Sequence, residues 1–237
     1  NILGNYGRIL AEYPFLKDFR RNKLEQFITI DGLENLHKSK IAINISDNQF
    51  VDNILGNYGR ILAEYPFLKD FRRNKLEQFI TIDGVGNLDK IKNNKKPVVF
   101  ISGHFNNFEL MAMQIEKHGI NLAAIYRPLN NIFLNKTMER IRTQYICRNQ
   151  IRKGRSGTRQ ILENLKKGNS IALMIDQRVT EGIKIDFFGN LASTTTIPAQ
   201  IIKKYECDLV PIYIERLEKY YFKMYVSQPI AINSEKS

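Results

Sequence analysis

From residue 95 onward the hydrophobic and polar positions alternate between two periods. VVFIS (98–102) is a short apolar run rich in β-branched residues and reads as a buried strand. FELMAMQIEKHG follows with helical spacing and stops at Gly119. NLAAIYR (121–127) predicts a second strand, closed by Pro128, and a helix runs on through LNKTMERIRTQY. GTRQILENLKKG predicts a helix ended by Gly168, and SIALMID (170–176) a third buried strand. KIDFFGN reads as a short strand or a turn. Pro198 opens a helix over IPAQIIKKYE, at a position where a missing N–H costs little. DLVPIYIER and YYFKMYVSQPI predict a late strand pair turning at 217–219. Such alternation predicts an α/β fold, a single domain with a mostly parallel central sheet flanked by helices. Ligands on sheets of this kind bind beyond the carboxyl ends of the strands. His104, Arg127 and Asp176 fall there, on three different strands.

The first part of the chain reads differently. NILGNYGRILAEYPFLKDFRRNKLEQFITIDG occurs twice without change, at 1–32 and at 53–84. Solenoid repeats are more numerous and have drifted apart, so one long identical pair points to a recent duplication or an assembly artefact. Within a copy, Ile54, Leu55, Tyr58, Ile61, Leu62 and Tyr65 recur at helical spacing until Pro66 interrupts them. FLKDFRRNKLEQF then reads as an amphipathic helix, packed on the core or lying on an anionic bilayer. Two copies cannot fill one packing site. The second is continuous with the α/β body, so residues 1–52 are expected to be a duplicated helical arm and 53–237 the functional domain, truncated at its C-terminus.

Charge narrows the partners. The net charge of +12 favours an anionic partner, such as a phosphorylated substrate, an acidic protein, a membrane surface or nucleic acid. No recognised nucleic-acid motif appears. Cys147 and Cys207 make no disulfide framework and lie near no metal-ligand pattern, so buried thiols in a reducing compartment are expected. No apolar run of about eighteen residues predicts a transmembrane helix, and no signal peptide is evident.

The stretch SGHFNNFEL (102–110) carries the candidate chemistry. Five positions along a continuous helix turn through about 500°, so His104 and Glu109 meet only if His104 precedes the helix and Glu109 starts it. Asn106 or Asn107 as N-cap gives that arrangement, and Asn106-x-x-Glu109 is also a variant capping box. The pair therefore reads either as a capped helix or as a base and its orienting carboxylate, with Glu109 on one ring nitrogen and the other free to take a hydroxyl proton. His37 lies in the arm and His118 at a helix C-terminus, which leaves His104 as the base candidate. Arg152, Lys153, Arg155 and Arg159 surround two glycines and a helix start, where a phosphate could be held. Arg127 ends a buried strand and suits an anion. Asp176, followed by Gln177, either bonds loop N–H groups or positions substrate.

Taken together these blocks resemble the lipid A biosynthesis acyltransferase family, the late lauroyl and myristoyl transferases. The family's G-H-x-G-N-W-E setting of a His-x4-Asp/Glu motif reads GHFNNFE here, with Asn106 in place of Gly and Phe108 in place of Trp. Asn tolerates left-handed backbone, and Phe keeps an aromatic wall. YRPLNN, GRSGTRQILENLKKGNSIALMIDQR, FFGNLASTTTIPAQ and VPIYIER follow in order, and the resemblance covers roughly 53–230. It implies a glycerol-phosphate-acyltransferase-like fold. It implies transfer of an acyl chain from acyl carrier protein to a hydroxyl of a phosphorylated glucosamine lipid, at the cytoplasmic face of the inner membrane. By the same resemblance His104 is the general base, Glu109 its orienter, and Arg127 with Arg152, Arg155 and Arg159 the phosphate contacts. No metal or bound cofactor is implied. Another glycolipid or a lysophospholipid as acceptor, or a non-catalytic basic module binding anionic lipid or nucleic acid, remain the alternatives.

Overall fold

The predicted buried strands are present in a computed structural model, which describes residues 46–230 apart from 130, 178, 180, 181 and 188. The first repeat copy and His37 lie outside the described residues. The chain divides into two compact units, residues 1–66 with 178–194, and 67–177 with 195–237.

In the first unit, helix α1 (Asp47–Glu64) is opened by a capping box, in which Ser46 Oγ accepts the Gln49 N–H and the Gln49 side chain accepts the Ser46 N–H. The helix begins six residues before the second repeat copy and stops short of Pro66, whose ring cannot continue it. This unit also contains strands β6 (Ile183–Phe187) and β7 (Asn190–Thr194), paired antiparallel as a hairpin. KIDFFGN thus resolves as strand followed by turn.

The second unit holds a seven-stranded sheet. In chain order its elements are α2 (Leu68–Arg72), β1 (Ile80–Asp83), α3 (Val85–Asn94), β2 (Val99–Ser102), α4 (Glu109–Lys117), β3 (Leu122–Tyr126), α5 (Ile132–Ile141), β4 (Asn149–Arg152), α6 (Arg155–Lys166), β5 (Ser170–Met174), α7 (Ile197–Tyr205), β8 (Leu209–Arg216) and β9 (Phe222–Val226). The strand order is β1-β9-β8-β2-β5-β3-β4. Strands β8, β2, β5, β3 and β4 are mutually parallel, while β8 pairs antiparallel with β9 as the late hairpin. The mostly parallel sheet expected from the pattern is therefore present.

Strands covered on both faces need apolar residues at every position, which is why 98–102 and 170–174 read as unbroken runs. On one face Val99, Ala123, Ile151 and Ile171 meet Ile161 and Leu165 of α6 and Ile201 and Ile202 of α7. Helix α4 covers β3 and β8 and contributes Leu110, Met111, Met113 and Ile115, each fully buried. A Cβ at Gly157, in the first turn of α6, would stand 2.5 Å from the Arg152 carbonyl oxygen. Glycine there lets the helix start press against the end of β4.

Cys147 and Cys207 are both buried, and burial pushes the Cys147 thiol up to about 12 and the Cys207 thiol in the same direction. An aromatic disulfide reagent at neutral pH should therefore leave both thiols unmodified in the folded chain and titrate both once denaturant is added. Rapid labelling of native protein would contradict this burial.

Candidate active site

The parallel strands end in a row, and the site residues follow from their carboxyl ends. His104 comes two residues after β2, Asp176 two residues after β5, Arg127 one residue after β3, and Arg152 closes β4. Because β2, β5, β3 and β4 are consecutive in the sheet, side chains up to 72 positions apart share one edge.

His104 and Asp176 meet directly. Nδ1 of His104 lies 2.8 Å from Asp176 Oδ1, and the His104 backbone N–H donates to Asp176 Oδ2 at 2.8 Å. One carboxylate thus fixes both the ring and the main chain of the loop. Burial alone would push the Asp176 carboxyl up, but the His104 ring and N–H outweigh it and bring the group below the usual carboxylate range. A Cβ on Gly103 would stand 3.2 Å from Asp176 Oδ2 and 3.0 Å from the Phe105 ring, so glycine eases this close approach. Phe108 packs edge-on against the His104 ring, with centroids 4.8 Å apart, and supplies the aromatic wall.

Helix α4 starts later than the capping argument expects. Asn106 takes a left-handed φ of 43°, and its side chain donates to the Ile214 carbonyl at 3.2 Å. The N-cap is Phe108, without a side-chain cap, and neither Asn106 nor Asn107 holds that position. The left-handed turn at Asn106 delays helical geometry and makes Glu109 the first helical residue. Glu109 is buried, and its Oε1 accepts both Nε and Nη2 of Arg142 at 2.8 and 2.6 Å. The carboxylate that meets a ring nitrogen of His104, the role expected for Glu109, is that of Asp176, on Nδ1.

Arg142 begins a π-helical turn (Arg142–Ile146) that continues α5, and its guanidinium lies 5.8 Å from the centroid of the Tyr126 ring. Tyr126 and Arg152 are register partners across β3 and β4. Both reach Glu139 of α5, the Tyr126 hydroxyl donating at 2.5 Å and Arg152 Nη2 at 3.0 Å. Those two donors lower the Glu139 carboxyl to about 2. Sequence reasoning misses Glu139 and Arg142, because their spacing from Glu109, Tyr126 and Arg152 exists only after α5 packs beside the sheet.

The other expected anion contacts are not equivalent. Arg127 is exposed, and its guanidinium makes no ion pair among the described residues. Arg159 is exposed and pairs with Glu163 one helical turn on. Arg155 is the first residue of α6, following Gly154 at φ 142°. Gln177 is exposed beside Asp176. His118 caps α4 at its C-terminus and bonds Asp89 at 2.8 Å. Among the described residues no group of three His, Cys, Asp or Glu could hold a metal ion, and no helix is long and apolar enough to cross a membrane.

Residues 46–237 match the bacterial lipid A biosynthesis acyltransferase family. The chain belongs to that family. One similar solved structure is the 1-acyl-sn-glycerophosphate (LPA) acyltransferase PlsC from Thermotoga maritima, at 14% identity and TM-score 0.43, covering 97% of this chain and 84% of that one. Among curated proteins none matches the sequence.

Two outcomes test the geometry. Arg142→Met leaves the Glu109 carboxylate buried without its guanidinium and should lower unfolding free energy by about 3–5 kcal/mol in urea titrations. The Glu139 carboxyl ionises more readily in the folded than in the unfolded chain. Its cluster therefore stabilises fully above about pH 4.5 and progressively less as pH falls toward 2. The melting-temperature gap between wild type and Glu139→Gln should shrink as pH drops through that window. A gap that widens would contradict the assignment.

Proposed function

We propose that the protein is an acyltransferase that moves a fatty acyl chain from acyl carrier protein to a hydroxyl of a lipid A precursor at an anionic membrane surface, the cytoplasmic face of a bacterial inner membrane. The observation that carries this reading is the His104–Asp176 contact at the carboxyl edge of the sheet, in a chain of this family.

A carboxylate on Nδ1 holds the ring proton there and leaves the Nε2 lone pair as the base. As the acceptor hydroxyl approaches Nε2, its proton passes to the ring while its oxygen attacks the thioester carbonyl. The tetrahedral intermediate then collapses, the C–S bond breaks, and the imidazolium returns the proton to the departing thiolate. Asp176 stabilises the imidazolium and keeps the ring in place, the orienting role that the motif suggests for Glu109. Glu109 acts in this reading one layer back, by anchoring Arg142 under Tyr126. Arg127 and Arg152 face the acceptor phosphates, with Arg155 and Arg159 in the first turns of α6 and Gln177 on the loop after β5 beside them. Arg152 exchanges its Glu139 partner for phosphate as substrate arrives. A basic edge suits the acidic donor protein as well as the acceptor.

Purified protein given acyl carrier protein loaded with defined acyl chains, and a panel of acceptors, decides the reading. His104→Ala should reduce kcat about 10²–10⁴-fold with an unchanged circular dichroism spectrum. Asp176→Asn should lower kcat by about 10–100-fold with little change in KM, as loss of an orienting group does. Full activity in His104→Ala overturns the mechanism. Transfer confined to lysophosphatidic acid keeps the chemistry and overturns the lipid A acceptor.

A further inference from the structure

The end of the loop after β3 and the first turn of α5 hold apolar side chains out in water. Leu129, Ile132, Phe133 and Leu134 are 36, 69, 81 and 44% exposed. The backbone beneath them is nevertheless tightly built. Asn131 caps α5 by accepting the N–H groups of Phe133 and Leu134, both at 3.0 Å. Buried Asn135 accepts the Leu129 N–H at 2.8 Å, and its own N–H donates to the Asn131 carbonyl at 2.8 Å. Two asparagines thus lock the loop onto the first turn of the helix with four apolar groups facing out. Scattered exposed apolar residues are ordinary, but a contiguous and rigidly presented group marks an interaction site.

Charge identifies the occupant. Exposed Arg127 precedes the apolar group in the chain. Lys136 and Arg140, both exposed, follow Ile132 at i+4 and i+8 and so share its face of α5. The one acidic residue of α5, Glu139, is engaged by Tyr126 and Arg152. Arg152 and Lys153, at the end of neighbouring β4, are exposed as well. Apolar side chains at a tip with a collar of Lys and Arg behind them match the boundary between acyl chains and anionic headgroups. A second copy of the chain fits less well, because four side chains fall short of the about 800 Å² per partner that a stable dimer buries.

We propose that residues 127–129 and 131–140 form a wedge that seats in the interface of an anionic bilayer, with Ile132 and Phe133 among the acyl chains and Arg127, Lys136 and Arg140 at the phosphates. Its benefit to catalysis rests on the activity proposed above. The wedge begins one residue from the end of β3, and β3 neighbours the strand that leads to Asp176. A lipid acceptor therefore reaches the His104 edge without leaving the bilayer.

The chain contains no Trp, so F133W places a single tryptophan at the tip, which can be excited selectively over the tyrosines. With vesicles of phosphatidylglycerol and phosphatidylethanolamine its emission should shift to the blue and be quenched by brominated acyl chains. Phosphatidylcholine vesicles should give little change. In co-sedimentation with the anionic vesicles, I132S/F133S should lower partitioning by about tenfold or more, and K136E/R140E should remove much of the salt-sensitive part of binding. Circular dichroism should show both variants folded, since the substituted side chains are exposed. An unshifted F133W spectrum, or unchanged vesicle binding by I132S/F133S, overturns the proposal. So does loss of self-association, or of binding to acyl carrier protein, with vesicle binding intact. Transfer to a short-chain acceptor dissolved in water separates the two readings, because I132S/F133S should retain it. Vesicle insertion by a protein lacking all transfer would overturn the proposed activity and leave the wedge standing.

Discussion

The register between β2 and β5 decides what chemistry the carboxyl edge can perform. Ser102 is paired with Met174, and the Ile175 N–H bonds the Ser102 carbonyl at 2.9 Å. Each chain then runs two residues further, to His104 and to Asp176, and the two side chains arrive 2.8 Å apart. Slipping the pair by one residue would shift one partner by about 3.3 Å along the strand and reverse every side chain between the faces. Both strands are buried on both sides, so packing as well as hydrogen bonding resists such a slip. Gly103 completes the fit by leaving room for the carboxylate and the Phe105 ring.

Around that pair the basic residues divide into those packed behind the sheet and those at the strand ends. Arg142 is mostly buried and holds Glu109, while Arg72 holds Glu116, whose other oxygen accepts the Arg148 N–H. These guanidinium groups organise the helices behind the sheet and contribute little to the outward field. Arg127 and Arg152 stand at the strand ends, where an anion can reach them. Total charge therefore says less about substrate binding than the place where each pair falls in the fold. The π-helical turn matters in the same way. It begins at Arg142, at the point where α5 ends, and Arg142 meets Glu109 there.

Strands buried on both faces were legible in the sequence because their apolar runs have no other use. Short strands at the sheet margins were not. ITID of β1 and NQIR of β4 alternate or are mainly polar, and their β character comes from pairing with β9 and β3. The convergence of His104, Arg127 and Asp176 on one edge could be read from strand endings alone. The ring's hydrogen-bond partner could not. Local spacing favours Glu109, five residues away, over a carboxylate 72 residues away, and only the sheet register reverses that preference. Left-handed Asn106 is the local event that local reasoning half anticipates, since the residue type permits the geometry without requiring it.

The His104–Asp176 contact closes a long loop of chain, and the pairing of β2 with β5 must exist before it can form. Bringing such distant segments together costs chain entropy that no local helix repays. The contact therefore depends on the alignment of the central strands and not on the helices alone. The pairing of His104 with Asp176 is in this sense a property of the completed sheet and of neither loop by itself.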